Sequence, residues 1–233
     1  MTMLAATLDF QLPVGSEATE PPEERGLARD EVRLLVADRC EIRHARFTEI
    51  EDFLSAGDLL VVNTSLTLAA AVAGWRRDGR AVVAHLSTAL EDGSWLVELR
   101  PAVDATGPLT DIVVGEQVSL SGGGSLVALE PVGTRLWRSR IAVDGEVIDY
   151  LWAHGHPIRY SYLRGSWPLS AYQTVFASDP GSAEMPSAGR PFSTRLVTRL
   201  LTQGVLIAPI TLHCGVSSLG VGELPLAERY RVP

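Results

Sequence analysis

Two kinds of apolar pattern divide the chain. Leu59-Leu60-Val61-Val62 and residues 205–212 are continuous apolar runs, each ending in a polar residue, Asn63 and His213. Such runs predict strands buried on both faces. Between them, from about Ala69 to Ala142, short β-type runs recur at residues 81–86, 95–99, 112–114, 117–120, 126–130 and 136–143, with Gly, Asp or Ser turns between. That punctuation predicts a small β-barrel or sandwich. Helical spacing is local. Val147, Ile148, Leu151 and Trp152 run up to Gly155, and Leu196, Val197, Leu200 and Leu201 lie between a capping Ser193 and a closing Gly204. A short helix is expected over residues 48–54, opened by a capping box at Thr48 to Glu51 and closed by Gly57. Residues 32–36 read as a strand paired with residues 43–47, and residues 13–30, rich in Glu, Pro and Gly, as an extended lead-in.

These elements describe an α/β domain interrupted by a β module. With 233 residues, 46% of them hydrophobic, the chain can bury one large core or two modest ones. No run approaches the ~20 apolar residues of a membrane span, and no basic residue precedes the apolar start as in a signal peptide. A cytoplasmic location without membrane contact is the expectation. The net charge of −8 argues against strong non-specific RNA binding, which rests on Lys and Arg. Arg159, Arg164, Arg190, Arg195 and Arg199 read as a solvated surface. Cys40 and Cys214 match neither a disulfide framework nor a zinc spacing, and Cys214 reads as a reduced thiol packed at a strand end. His154 and His156 lack Cys or carboxylate neighbours for a metal. Gly122-Gly123-Gly124 lacks the Lys-Ser/Thr ending of a phosphate loop and reads as a hairpin tip.

Polar residues at the ends of buried strands are where α/β proteins tend to place ligand groups. Asn63 and His213 are so placed, and the Pro/Gly/Ser-rich loop over residues 180–189 can bring backbone N–H groups to a ligand. A histidine there can act as a general acid or base near neutral pH. It can equally be a strand-end histidine satisfied by the backbone. On the residues alone both readings stay open.

Several pieces then occur in a characteristic order: Asp9-Phe10-Gln11-Leu12-Pro13, Arg33-Leu34-Leu35-Val36, Gly57-Asp58 through Asn63-Thr64, and Trp95-Leu96-Val97-Glu98-Leu99-Arg100-Pro101-Ala102. After the β module come Tyr172-Gln173-Thr174-Val175-Phe176-Ala177, Pro186-Ser187-Ala188-Gly189, Phe192, Gly204-Val205, Thr211-Leu212-His213 and Glu228-x-Tyr230. Together they resemble the S-adenosylmethionine:tRNA ribosyltransferase-isomerase family of queuosine biosynthesis. The resemblance implies a discontinuous α/β large domain, residues 1–68 and 158–233, with an inserted small antiparallel β-barrel domain at residues 69–157. It implies S-adenosylmethionine as a substrate, tRNA as partner and no metal. The ribosyl group would pass, with isomerisation, to a 7-deazaguanine base, giving epoxyqueuosine, adenine and methionine. By the same resemblance His213 transfers protons, Glu228 positions a ribose or an amine, and Asn63 anchors a polar group. Pro186, Ser187, Ala188, Gly189, Phe192, Thr211 and Gly215 complete the substrate-binding set.

The chain also departs from the family pattern. Thr64-Ser65-Leu66 stands for Asp-Thr-Arg, Arg190-Pro191 for Leu-His, Val216-Ser217-Ser218-Leu219 for Leu-Gly-Thr-Phe, and Leu224-Pro225-Leu226-Ala227 for a motif with two histidines. Positioned polar groups contribute orders of magnitude each. The departures therefore keep open a catalytically silent nucleoside-binding or interaction protein on the same scaffold, and a transferase with a non-tRNA acceptor. Family members continue for about a hundred residues, a small domain's worth, beyond the position of Pro233. An incomplete sheet edge and self-association through it are the matching expectations.

Overall fold

The structure is a computed structural model that describes residues 11, 13, 15–16, 18–38, 41–103, 107–160, 163–216 and 228–232. Asp9, Phe10, Leu12, Cys40, Ser217 to Leu219 and Leu224 to Ala227, named above, lie outside them. The first strand, β1 (Arg33–Ala37), pairs antiparallel with β2 (Ile42–Arg46). Residues Phe47–Phe53 then form a 3-10 helix rather than a helix begun at Thr48. The Glu49 carboxylate accepts the Arg46 N–H at 2.5 Å, so the acidic residue that serves the cap is Glu49, two positions earlier than expected. Strand β3 (Leu59–Asn63) follows, and β4 (Ser65–Thr67) leads into the barrel.

Six strands close that barrel: β5 (Ala71–Arg76), β6 (Ala81–Ala89), β7 (Trp95–Pro101), β8 (Gln117–Leu120), β9 (Ser125–Val132) and β10 (Leu136–Ala142), in the order β10-β7-β6-β5-β8-β9. All its neighbours are antiparallel. Alternate residues point inward. On β6 these are Val82, Ala84 and Leu86, which meet Val72, Val97, Leu99, Val118 and Leu126 in the larger core. Helix α1 (Val147–His154) plugs onto it with Tyr150 and Leu151. Residues 112–114 form no strand. Ile112 is buried, whereas Val113 and Val114 are exposed and only the turn after them, at Gly115, joins the ladder through Ala128. Strand β5, unmarked by a clear alternation, is the barrel element that the pattern missed.

The return segment supplies β11 (Asp179–Ser182), α2 (Thr194–Gln203), β12 (Leu206–His213) and β13 (Arg229–Arg231). Ser193 accepts the Leu196 N–H and Gly204 closes α2 in a left-handed conformation, as the spacing predicts. Leu196 and Leu200 pack with Phe47, Phe192 and Val205 in a second, smaller core. Residues 180–182, expected as loop, are instead extended, because β11 runs parallel to β4. Strand β12 lies between β3, parallel, and β13, antiparallel. Helix α2 and Leu60 share the small core, but Leu59, Val61 and Leu206 are 58%, 52% and 57% exposed. The two apolar runs are therefore covered on one face only, a correction to the doubly buried reading.

Candidate functional site

The site is built where β3, β4, β11 and β12 end. Asn63 is the last residue of β3, and its side-chain amide is held by backbone on three counts. Its Nδ2 donates to the Leu212 carbonyl at 2.7 Å, and its Oδ1 accepts from the Leu212 and Ser65 N–H groups at 2.9 and 3.0 Å. A single amide thereby fastens Asn63 of β3 to Leu212 of β12, two residues past its register partner Ile210, and fixes the backbone that presents His213. Its polar atoms serve the fold first.

His213, half-buried, takes a hydrogen bond at Nδ1 with Ser65 Oγ at 2.7 Å, and Ser65 Oγ lies 2.6 Å from Ser182 Oγ. Ser182 Oγ in turn accepts the Cys214 N–H at 2.9 Å. Both serines are fully buried. Burial pushes the His213 pKa below its ordinary value, helped by the positive charges of Arg229 and Arg231 and opposed by Asp179. Burial and the two arginine charges both favour the neutral ring. Gly181 packs directly beneath it: a Cβ there would lie 2.4 Å from ring atoms. Burial and the negative charge of Glu228 push the Cys214 thiol up, which keeps it protonated and unsuited to nucleophilic attack.

Thr211, two residues before His213, donates to Asp179 Oδ2 at 3.0 Å and touches Thr64 Oγ1 at 3.0 Å, while Arg231 reaches the same carboxylate oxygen at 3.1 Å. Beyond His213 the chain turns hard against the barrel. A Cβ on Gly215 would meet the Ser87 and Thr88 hydroxyls at 2.8 Å, and the Gly215 N–H donates to Glu228 Oε1 at 3.2 Å. The Val216 N–H donates to Ser87 Oγ, and its carbonyl accepts from Arg135. Arg135 and Arg100 both grip the fully buried Glu98 carboxylate, next to the buried ring of His85 on the paired strand. Asn63, Thr211, His213, Gly215 and Glu228 thus come together.

The remaining expected residues sit elsewhere. Pro186 precedes a tight turn, Ser187–Gly189, with Gly189 lying against Thr174. Phe192 is buried, its ring edge-on to Phe47 and Phe176 at centroid distances of 4.9 and 5.4 Å. Ser187 alone of this group lines a cavity of about 380 Å³, within the range of small-molecule sites. Its walls carry three aromatic rings, Tyr160, Trp167 and Tyr172, and the carboxylates of Glu20 and Glu184. Arg190 also lines it and is buried, pinned by the Ala171 carbonyl at 3.0 Å and Glu23 at 2.8 Å, so it is no part of a solvated basic surface.

Thr67 and Ala183, which line the cavity, follow Ser65 by two residues and Ser182 by one. The β4–β11 pair therefore carries both the cavity wall and the partners of His213. Gln173 joins the parts: its amide accepts the Thr67 N–H at 3.0 Å and donates to the Thr67 carbonyl at 2.7 Å, as a neighbouring strand would. Sequence reasoning missed Ser65, Ser182 and the aromatic walls. Ser65 fell within a departure from the family pattern, and the aromatics carry no spacing signal in an irregular segment.

The sequence profile of the family described as "Queuosine biosynthesis protein" matches residues 5–230. Among curated relatives, the S-adenosylmethionine:tRNA ribosyltransferase-isomerase of Thermotoga petrophila is 29% identical over 99% of this chain, and that of Staphylococcus saprophyticus 33% over 90%. The chain spans 65% and 60% of their lengths. The crystal structure of an S-adenosylmethionine tRNA ribosyltransferase from Thermotoga maritima aligns at 25% identity over 95% of this chain and 60% of that one, with a TM-score of 0.34. The profile match, running nearly end to end, places the chain in the family of queuosine biosynthesis proteins.

Proposed function

We propose that this chain carries the substrate-handling part of an S-adenosylmethionine:tRNA ribosyltransferase-isomerase. It would act in the cytoplasm on a 7-deazaguanine base of tRNA. Residues 1–68 and 158–233 then work as one α/β unit around the inserted barrel region, residues 69–157. The observation that carries the reading is a histidine on a parallel strand end, hydrogen-bonded at Nδ1 by the same strand pair that walls an aromatic cavity.

The chemistry requires removal of a proton beside the sulfonium, departure of adenine and alignment of both reactants. The sulfonium itself acidifies the neighbouring C–H, so the protein's task is to orient and to stabilise charge. Aromatic faces and carboxylates suit a purine that carries a positive centre. Tyr160, Trp167 and Tyr172 with Glu20 and Glu184 offer that combination, and the Pro186–Gly189 turn closes the cavity at Ser187. At the strand ends His213 engages the reacting nucleoside and Glu228 orients its ribose, with Asn63, Thr211 and Gly215 holding them in place. A non-tRNA acceptor is the second reading, favoured by the net charge of −8.

Calorimetric titration with S-adenosylmethionine, with adenosine as comparison, tests the pocket. Saturable binding is expected, and no binding by a folded sample overturns the proposal. Epoxyqueuosine formation on tRNA bearing the aminomethyl-deazaguanine precursor tests the acceptor. His213→Ala is expected to lower turnover by about 100-fold or more; full activity in that variant removes His213 from the mechanism.

A further inference from the structure

Two buried hydroxyls decide which nitrogen of His213 carries the proton. Ser182 Oγ accepts the Cys214 N–H, so its own hydrogen needs an acceptor. Its other hydrogen-bond partner among the described residues is Ser65 Oγ, at 2.6 Å. Ser65, having accepted from Ser182, has its hydrogen left for His213 Nδ1 at 2.7 Å. Every group in the chain Cys214 N–H, Ser182, Ser65, Nδ1 is satisfied in that direction. In the opposite direction Nδ1–H donates to Ser65 and Ser65 to Ser182. Among the described residues the Ser182 hydrogen is then left without an acceptor at a fully buried position, which is the costly case for a polar group.

From this geometry we infer that Ser182 and Ser65 are positioning residues that hold His213 as the Nε2–H tautomer, so that it serves as a neutral hydrogen-bond donor and not as the base. Nδ1 is occupied as an acceptor, and Nε2, already protonated, has no lone pair to take a proton. The proton stays on the ring throughout. His213 presents Nε2–H to an oxygen or nitrogen of the nucleoside that gains negative charge, a use of neutral imidazole known from other enzymes. Removal of the proton beside the sulfonium then falls to a different group. Gly181 belongs to the same device, since a side chain there would push the ring off Ser65. The tautomer follows from the hydrogen-bond chain alone. The donor role rests on the transferase reading above.

The experiment is nitrogen NMR of the whole chain labelled at histidine, with and without Ser65→Ala. The wild type is expected to show one neutral His213 tautomer, with Nε2 protonated and Nδ1 not. In S65A the His213 pKa is expected to rise by about one unit, because a donor to Nδ1 stabilises only the neutral ring. A protonated Nδ1 in the wild type overturns the inference. So does a pKa that falls or stays put in S65A, since a serine accepting from Nδ1–H would stabilise the imidazolium and its loss would lower the value. Activity supplies the separate readout. His213→Gln keeps an amide donor and is expected to retain about a tenth of turnover, where H213A loses about 100-fold. Equal loss in both variants overturns the donor role while leaving the tautomer intact. Absence of turnover in the wild type would tell against the transferase reading and leave the NMR result standing.

Discussion

A methyl group at position 181 would sit 2.4 Å from the His213 ring, closer than non-bonded atoms come. Gly181→Ala is therefore expected to displace the imidazole from Ser65 and lower turnover at least tenfold, with little change in the far-ultraviolet circular dichroism. His85 presents a different problem. It is buried on β6, its Nδ1 has no hydrogen-bond partner among the described residues, and burial, helped by the charge of Arg100 and opposed by Glu98, brings its pKa down to about 4. The unfolded chain binds a proton there below about pH 6.5 while the folded chain does not until about pH 4. Stability from this residue is thus complete above pH 6.5 and is lost as pH falls toward 4, by about 3 kcal/mol. Urea midpoints at pH 7 and 4.5 for wild type and His85→Leu test this, the variant being expected to show a smaller difference by that amount.

At the scale of elements, Gln173 does the work of a strand. It supplies both hydrogen bonds to Thr67 that a neighbouring backbone would, at the C-terminal end of β4, which among the described residues pairs only with β11. Gln173→Leu leaves the Thr67 N–H and C=O without these partners and is expected to cost about 2–4 kcal/mol in urea unfolding. The Tyr172-to-Ala177 motif entered the sequence reading only as a piece of the family resemblance, with no role attached. In the structure Gln173, Thr174 and Phe176 of that motif brace the strand, the Gly189 turn and the small core. Helix α2 is the opposite case, since its cap, apolar stripe and stop are all local and were all legible. Ser193→Ala is expected to cost about 1 kcal/mol for the cap.

At the scale of the whole molecule, there are two apolar cores and a polar seam beside the larger one. The larger fills the barrel and the smaller lies under α2. The seam joins the outer face of the barrel to the chain after His213 through Glu98, Arg100, Arg135, Ser87 and Val216. Glu98→Ala removes a fully buried carboxylate that the partly buried Arg100 and the buried Arg135 share. Stability is expected to fall by about 3–5 kcal/mol, measured by chemical denaturation. Leu59, Val61 and Leu206 meanwhile leave an apolar sheet face in water. Among the described residues no helix is long and apolar enough to cross a membrane.

What the sequence determined by itself is whatever a local pattern encodes. The barrel hairpins, α1, α2 and the two apolar runs could be read because side-chain period, caps and turn glycines act within a few residues. His213 was legible as a polar residue ending such a run. Its chemistry was not. Ser65 stands 148 positions before it and Ser182 stands 31, and nothing in either's neighbours marks a hydroxyl that will face an imidazole. The pairing of β11 with β4, the one-sided cover of β3 and β12, the aromatic cavity and the choice of tautomer all depend on segments distant in the chain. Only the tertiary structure decides those, because hydrogen-bond direction and burial are properties of the groups brought together and not of the residue alone.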